Sequence, residues 1–410
     1  MSKNCIVAQS GGPTSAINAS LAGVMDECRK SGCYDKIYGA IHGIQGVMER
    51  NFIELNALCN DQDIDDLSHT PTMYIGSCRY KLPDVDAEPE AYEKLFGIFE
   101  EMNIGAFFYI GGNDSMDTVA KLSAYAEKVG SEIRFAGVPK TIDNDLMGTD
   151  HTPGYGSAAK FIATSMLEIS YDTYIYNAPC VTIVEIMGRN AGWLTAAAAL
   201  SRNDYINTPQ LVYLPEAVFD MDTFIEDVRE CLKQSRNVVV AVSEGIHDKD
   251  GNYISAVAAK EDKFGHAQLS GVGKTLELEV KERLGVKCRS IEFNILQRCA
   301  GHIASATDIN ESMMLGRAAV KLTAMGHTGF MTALKRYEGE EEYSCYVDEA
   351  KLSEVANKEK QVPAEWINEK GNNVTDELIE YIKPLIKGEI TVGYKDGLPA
   401  YLPIPHLTDH

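Results

Sequence analysis

Two turns carry the residue types on which chemistry would rest. Gly137-Val138-Pro139-Lys140-Thr141-Ile142-Asp143-Asn144-Asp145 closes one apolar run, and Gly111-Gly112-Asn113-Asp114-Ser115 closes another, Phe107-Phe108-Tyr109-Ile110. Together they place a lysine, three carboxylates and several exposed backbone N–H groups at the ends of two neighbouring strands. In-line phosphoryl transfer to a hydroxyl needs such a set: the donor's charge is offset, Mg²⁺ is held, and a carboxylate accepts the hydroxyl proton. Asp143 and Asp145 are two positions apart, so they point the same way in an extended segment and diverge in a turn. One would take the proton while the other holds magnesium, directly or through water. Each turn alone has a plainer account, since Asn, Asp and Ser all cap helices well and Asp-Asn-Asp is an ordinary surface loop. The conjunction of the two turns is what points to a site.

Other segments are weighed in the same way. Ser10-Gly11-Gly12-Pro13-Thr14 follows the first strand and opens a helix, where glycines let backbone approach an anion and the helix N-terminus adds partial positive charge. It also reads as a simple strand–helix turn, and it lacks the Gly-x-Gly-x-x-Gly spacing of a dinucleotide site. Gly271-Val272-Gly273-Lys274-Thr275 superficially resembles a nucleotide P-loop, but Gln268 stands where the first glycine belongs, so it reads as a helix start. Arg189, Arg289 and Arg298 are cations in apolar or glycine-rich settings; a sugar phosphate or this chain's own carboxylates would pair with them.

The elements that must position these residues follow from periodicity. Short apolar runs alternate with amphipathic stretches of helical length, the pattern of parallel α/β proteins. Strands are expected at Cys5–Ala8, Ile37–Ile41, Ala106–Ile110, Ile133–Val138, Val181–Ile186, Leu211–Leu214, Val238–Ser243 and Lys287–Phe293. Helices are expected near Ser15–Lys30, Glu90–Met102, Ser115–Val129, Ala158–Tyr171, Ala191–Ser201, Met221–Gln234, Gly273–Leu284 and Asp308–Met325. In open α/β sheets ligands bind beyond the carboxyl ends of strands. The candidate segments fall there, as do Gly76-Ser77-Cys78-Arg79, Met187-Gly188-Arg189 and Ser243-Glu244-Gly245. From Glu338 onward the pattern breaks into charged, short-period segments with a helix at Thr375–Ile386, which reads as an appended surface layer.

The chain has 410 residues, enough for two or three domains, and 38 Lys and Arg against 60 Asp and Glu give a formal charge of −22. So acidic a protein repels nucleic acid and anionic membranes, and a site for an anionic substrate should be locally basic within it. No run approaches the length of a membrane span, and the N-terminus lacks a signal pattern. Ten cysteines without Cys-x-x-Cys or zinc spacing point to reduced thiols in a cytoplasm. His406 and His410 read as a frayed tail rather than a metal site.

Taken in order, Gly11-Gly12, Gly76–Arg79, Gly111–Ser115, Pro139–Asp145, Met187–Arg189, Ser243–Gly245 and Leu296-Gln297-Arg298 closely resemble the 6-phosphofructokinase family over residues 3–335. The resemblance implies an α/β fold of two Rossmann-like three-layer α/β/α domains with mostly parallel sheets. Residues 1–140 and 296–340 would form the phosphoryl-donor domain, 141–295 the sugar domain, and 341–410 an extension packed on the core. Asp143 would deprotonate the 1-hydroxyl of fructose 6-phosphate, with Thr141 and Ile142 beside it and Met187, Gly188, Arg189, Glu244 and Arg298 completing the sugar site. Arg289 matches a cation that reaches the sugar phosphate of a neighbouring subunit, which implies a homodimer or homotetramer. Gly11, Gly12, Arg79, Gly112 and Ser115 would face the donor, and Asn113 and Asp145 the Mg²⁺. Asn113 stands where the family usually has a metal-binding aspartate, and it can coordinate only as a neutral carbonyl. Ile295 replaces the usual histidine or tyrosine, and Cys180 replaces an arginine of the ATP-using form.

Two positions bear on the donor. The ATP-using branch has glycine where this chain has Asp114 and Lys140, so the resemblance is to the pyrophosphate-using branch. The physics agrees: a carboxylate at 114 repels a nucleotide's α-phosphate, and Lys140 supplies charge to pyrophosphate and the transferring oxygens. The expected reaction is reversible and Mg²⁺-dependent, converting pyrophosphate and fructose 6-phosphate to fructose 1,6-bisphosphate and phosphate. The competing readings are an ATP-dependent phosphofructokinase, a non-catalytic sugar-phosphate-binding regulatory subunit and, least supported, a Rossmann dehydrogenase.

Overall fold

Strands that are apolar on both faces need cover on both sides, and the chain meets that need with two sheets flanked by helices. The computed structural model describes residues 3–175, 177–254, 271–339 and 342–405; Gln268, His406 and His410 lie outside the described residues. The strands are β1 (Lys3–Gln9), β2 (Tyr34–Ala40), β3 (Phe52–Glu54), β4 (Ile104–Gly111), β5 (Arg134–Pro139), β6 (Cys180–Ile186), β7 (Leu211–Tyr213), β8 (Asn237–Ser243), β9 (Lys287–Glu292), β10 (Phe330–Arg336) and β11 (Cys345–Lys351). The first sheet has the order β11-β10-β5-β4-β1-β2-β3, and the second β7-β8-β6-β9. The inner strands of the first sheet and all four of the second run parallel, while β3 and β11 pair antiparallel at the edges.

Strand β4 shows how the core is divided. Ala106, Phe108 and Ile110 enter the cluster on one face, and Phe107 and Tyr109 the cluster on the other. Full burial of each such ring contributes about 1.5–3 kcal/mol. On the first face, helices Ile17–Ser31 and Ala306–Met325 approach so closely that a Cβ on Gly23 would lie 2.3 Å from the Met313 carbonyl oxygen. This contact ties a late helix to the first sheet.

Connectivity fixes where the strands open. From β1 the chain goes to β2 on one side, then returns to β4 on the other, so the carboxyl ends of β1 and β4 flank a topological switch point. The second sheet has another, because β8 and β9 lie on opposite sides of β6.

The α/β class, the eight expected strands and the eight helical regions before Glu338 are present, with Trp193–Ala196 continuing as a 3₁₀ segment, Ala197–Ser201. Gly271 does start a helix, Val272–Leu284, with Lys274 paired to Glu277. Strands β3, β10 and β11 and helix Asp61–His69 were not expected. The reading of residues after Glu338 as a surface layer is corrected. Strand β11 completes the first sheet, Leu352 and Val355 enter its core, and Val362, Leu378, Ile382 and Leu385 enter the core beside the second sheet. Three of the seven residues of β11 are charged, as suits an edge strand, and that hid it. Among the described residues, no helix is long and apolar enough to cross a membrane.

Candidate active site

The carboxyl ends of the two sheets face one cavity of about 700 Å³. The turn after β1 supplies Gly11 and Gly12, the turn after β4 supplies Gly112, Asn113, Asp114 and Ser115, and the turn after β5 supplies Lys140, Thr141, Asp143 and Asp145. From the second sheet come Met187, Gly188 and Arg189 after β6 and Glu244 after β8; Arg298 projects from the short helix Leu296–Cys299, and Arg79 from a loop. Two expected residues do not line it. Ile142 is buried in the core beneath its turn, and Arg289 sits on β9 paired with Asp172 at 3.2 Å. Cys180 is buried at the start of β6, and Ile295 is exposed.

Lys140 is 2% exposed, and its Nζ donates to the Gly12 carbonyl oxygen at 2.6 Å. Its own N–H donates to Gly111 O at 2.9 Å, joining the ends of β5 and β4. The glycine pair makes room for cations. Gly11 has φ +80°, and a Cβ there would lie 3.2 Å from Lys140 Nζ, while one on Gly12 would lie 3.3 Å from an Arg298 guanidinium nitrogen. Burial lowers the Lys140 ammonium to about 8, against the opposing pull of Asp143 and Asp145. Behind the glycines, the Ser10 and Ser115 hydroxyls share a hydrogen bond that fixes the β1 turn to the helix Asn113–Val129.

Asp143 is the carboxylate around which these cations gather. Burial raises its pKa; Lys140, a hydrogen bond from Thr141, Arg189 and Arg298 pull it back down. Thr141 Oγ1 in turn accepts the Asp143 N–H at 3.1 Å, holding the turn. Asp145 is raised to about 7 by burial and by the charges of Asp143 and Glu359. On the sugar side, Glu244 accepts the Gly188 N–H at 3.3 Å and is raised to about 7, mainly by burial. Ser243 Oγ donates to Gly188 O at 2.6 Å and accepts the Gly245 N–H, so the ends of β6 and β8 are laced together.

The lining carries five cations (Arg79, Lys81, Lys140, Arg189, Arg298) and five carboxylates (Asp114, Asp143, Asp145, Glu244, Glu359). The expectation of a locally basic site is therefore met only in part: the lining is formally balanced, more basic than a chain of −22 but without an excess of cations. Acting on a polyanion there calls for additional positive charge.

Sequence reasoning missed Lys81, Asn190, Asn357 and Glu359, which also line the cavity. Asn190 directly follows a segment already singled out. Asn357 and Glu359 carry no local signal, because long-range contacts place them. Asn357 N–H donates to Asn113 Oδ1 at 2.5 Å and Asn113 Nδ2 donates to Lys358 O at 2.6 Å, so both ends of the Asn113 carboxamide are engaged by the C-terminal segment.

Comparison with known proteins gives a consistent result. Residues 4–323 match the phosphofructokinase family. A pyrophosphate–fructose 6-phosphate 1-phosphotransferase from Halomonas elongata is 41% identical over 399 residues, covering 97% of this chain and 94% of that protein. The crystal structure of a pyrophosphate-dependent phosphofructokinase from Nitrosospira multiformis superposes with a TM-score of 0.89 at 40% identity, covering 98% of this chain and 96% of the other. One from Marinobacter aquaeolei gives 0.87 at 39%, covering 97% and 95%.

Proposed function

This chain belongs to the phosphofructokinase family, and we propose that it transfers a phosphoryl group from pyrophosphate to the 1-hydroxyl of fructose 6-phosphate. The products are fructose 1,6-bisphosphate and phosphate. Similarity over nearly the whole chain to proteins named for this reaction supports the reading. The observation that supports the donor assignment is Lys140, buried against the β1 glycines and electrostatically coupled to Asp143, with Asp114 lining the same cavity.

In this reading the first sheet's turns hold the donor and the second sheet's turns hold the sugar. Asp143 accepts the proton of the 1-hydroxyl as that oxygen attacks the terminal phosphorus; the bond to the bridging oxygen breaks, and phosphate leaves. Lys140 and Arg298 face the charge that gathers on the transferring and leaving oxygens. Glu244 and Arg189 orient the sugar, and Gly11, Gly12, Gly112 and Arg79 frame the donor. Asp114 crowds and repels a nucleotide's α-phosphate.

The lining also fits Mg²⁺. Asp145 and its neighbours offer hard oxygen donors, and the balanced charge of the cavity leaves a diphosphate short of compensation. Asp145 would hold the ion, which when bound would neutralise phosphoryl oxygens.

Arg289 stands outside the cavity, near the exposed side chains Tyr171, Tyr174 and Ile175 at the end of the helix that carries its partner Asp172. We read this face as the contact with a second copy, across which Arg289 reaches the neighbour's sugar phosphate, in a homodimer or homotetramer. All ten cysteines are free thiols, in keeping with a cytoplasmic setting. A coupled assay comparing the two donors tests the function: turnover with pyrophosphate and little with ATP is expected. Strong ATP turnover overturns the donor assignment, and saturable sugar-phosphate binding without turnover from either donor overturns catalysis.

A further inference from the structure

The segment Asn357–Val362 crosses the cavity from one sheet to the other. At the first sheet, the paired bonds to Asn113 are reinforced by Asn357 Nδ2, which donates to Asp117 Oδ1 at 3.3 Å. Asn113 and Asp117 are four apart on one helix and share a face, so the segment covers the first turns of that helix. In the middle, Lys360 N–H donates to Asp145 O at 2.7 Å. At the second sheet, Asn190 Nδ2 donates to Glu359 Oε1 at 2.9 Å, Trp193 Nε1 to Lys360 O at 2.8 Å, and Val362 N–H to Glu216 Oε1 at 2.9 Å. The Lys360 ammonium donates to Asp150 O at 2.6 Å.

Resting on the pyrophosphate reading above, we propose that this segment is a fixed strap forming the end wall of the donor side, that Asn113 is its clasp, and that the strap limits donor length alongside Asp114. A phosphate chain that runs past Gly112–Asp114 along the helix face meets the backbone of Asn357 and Lys358. A diphosphate stops short of it. The clasp also accounts for asparagine at 113. It must accept an N–H and donate to a carbonyl with one side chain, and a carboxylate cannot donate. Asn357 takes φ +59°, a left-handed conformation that asparagine tolerates better than most residues. Asn113 is thus a positioning residue, acting on the donor through the strap.

The test compares wild type, Asn113→Ala, and Trp193→Phe, which loosens the strap at its far end without touching the donor turn. Hydrogen exchange of residues 357–360 is measured in the resting protein, with calorimetric binding of inorganic pyrophosphate and of tripolyphosphate in Mg²⁺. Exchange there should quicken about tenfold in Asn113→Ala, and affinity for tripolyphosphate relative to pyrophosphate should rise about fivefold. Trp193→Phe should move both the same way by less. Unchanged exchange in Asn113→Ala overturns the clasp. Faster exchange with an unchanged binding ratio in both variants overturns the strap as a limit on length. Absence of wild-type pyrophosphate turnover would sink the function reading, while the binding ratio would still decide the strap.

Discussion

Lys140 Nζ lies 2.6 Å from the carbonyl oxygen of Gly12, so the cation that ends β5 is seated in the turn that ends β1. In the proposed reaction that placement would hold a charge ready for the donor before it binds. Replacing Lys140 with Met should lower kcat/KM for pyrophosphate about 10²–10³-fold. Because burial brings the ammonium down to about 8, kcat/KM for pyrophosphate in the wild type should decline as pH rises through about 8. In Lys140→Arg, whose guanidinium stays charged, that alkaline limb should disappear, whatever the absolute rate. Initial-rate profiles from pH 6 to 10 measure both.

Asp143 faces Lys140, Arg189 and Arg298, and the proton-acceptor role proposed for it requires the carboxylate form. Asp143→Asn should lower kcat about 10²–10⁴-fold while leaving the KM for fructose 6-phosphate within about threefold. Steady-state kinetics at saturating donor separate the two. A KM effect of similar size would make Asp143 a binding group.

Asp145, raised to about 7, supplies an acid limb of its own. A carboxyl with a raised pKa takes up its proton on the way down through that value, and a protonated oxygen binds Mg²⁺ poorly. Apparent affinity for Mg²⁺ should therefore weaken as pH falls below about 7, approaching tenfold per pH unit. Removing Glu359, whose charge helps hold Asp145 up, should move this limb to lower pH. Mn²⁺ titrations followed by water-proton relaxation at several pH values give the dependence without relying on turnover.

The pair proposed to select the donor, Asp114 and Lys140, can be separated from the rest of the site. Asp114→Gly with Lys140→Gly removes a repulsive carboxylate and the cation that compensates a short donor. Pyrophosphate activity should fall steeply, and the ratio of ATP to pyrophosphate turnover should rise by about 10². An unchanged ratio would move the basis of selection elsewhere, the strap being the first place to look.

How much of this was legible depended on the range of the interactions. Lys140, Asp143 and Asp145 announced themselves because strand ends and turn residues are local, and a parallel sheet brings such ends together by its own topology. The apolar runs of β1, β4 and β8 were equally plain, being buried on both faces. Asn357 and Glu359 were not, because nothing in their neighbourhood says that their segment lies across two sheets. Their positions come from bonds to Asn113 and Asn190, more than 160 residues away. Asn113 was noticed as a departure from aspartate, yet its explanation needed the partner that sequence spacing hides. Ile142 was carried into the site by its neighbours, although an apolar side chain beside two carboxylates in a turn has good reason to point into the core.

The last prediction concerns His151, which joins the chain's early and late segments. It is 2% exposed, with Nδ1 2.8 Å from Asp150 Oδ2 and Nε2 2.6 Å from Glu311 Oε2. Tyr343 OH also donates to Glu311 at 2.6 Å, and Arg336 pairs with Asp150. Burial disfavours the imidazolium, but Glu311 and Asp150 outweigh it and raise the group to about 9. A histidine raised above its ordinary value of about 6.5 stabilises the fold fully below that value and loses its contribution as pH climbs through about 9. The shift corresponds to roughly 3 kcal/mol, so the wild type should lose stability across this window by an amount that His151→Gln does not. The variant itself should be less stable at neutral pH by about 3–5 kcal/mol, because buried Glu311 and half-buried Asp150 lose their shared cation. Urea unfolding of both proteins between pH 6 and 9.5 gives the difference; parallel curves would show that His151 stays neutral throughout.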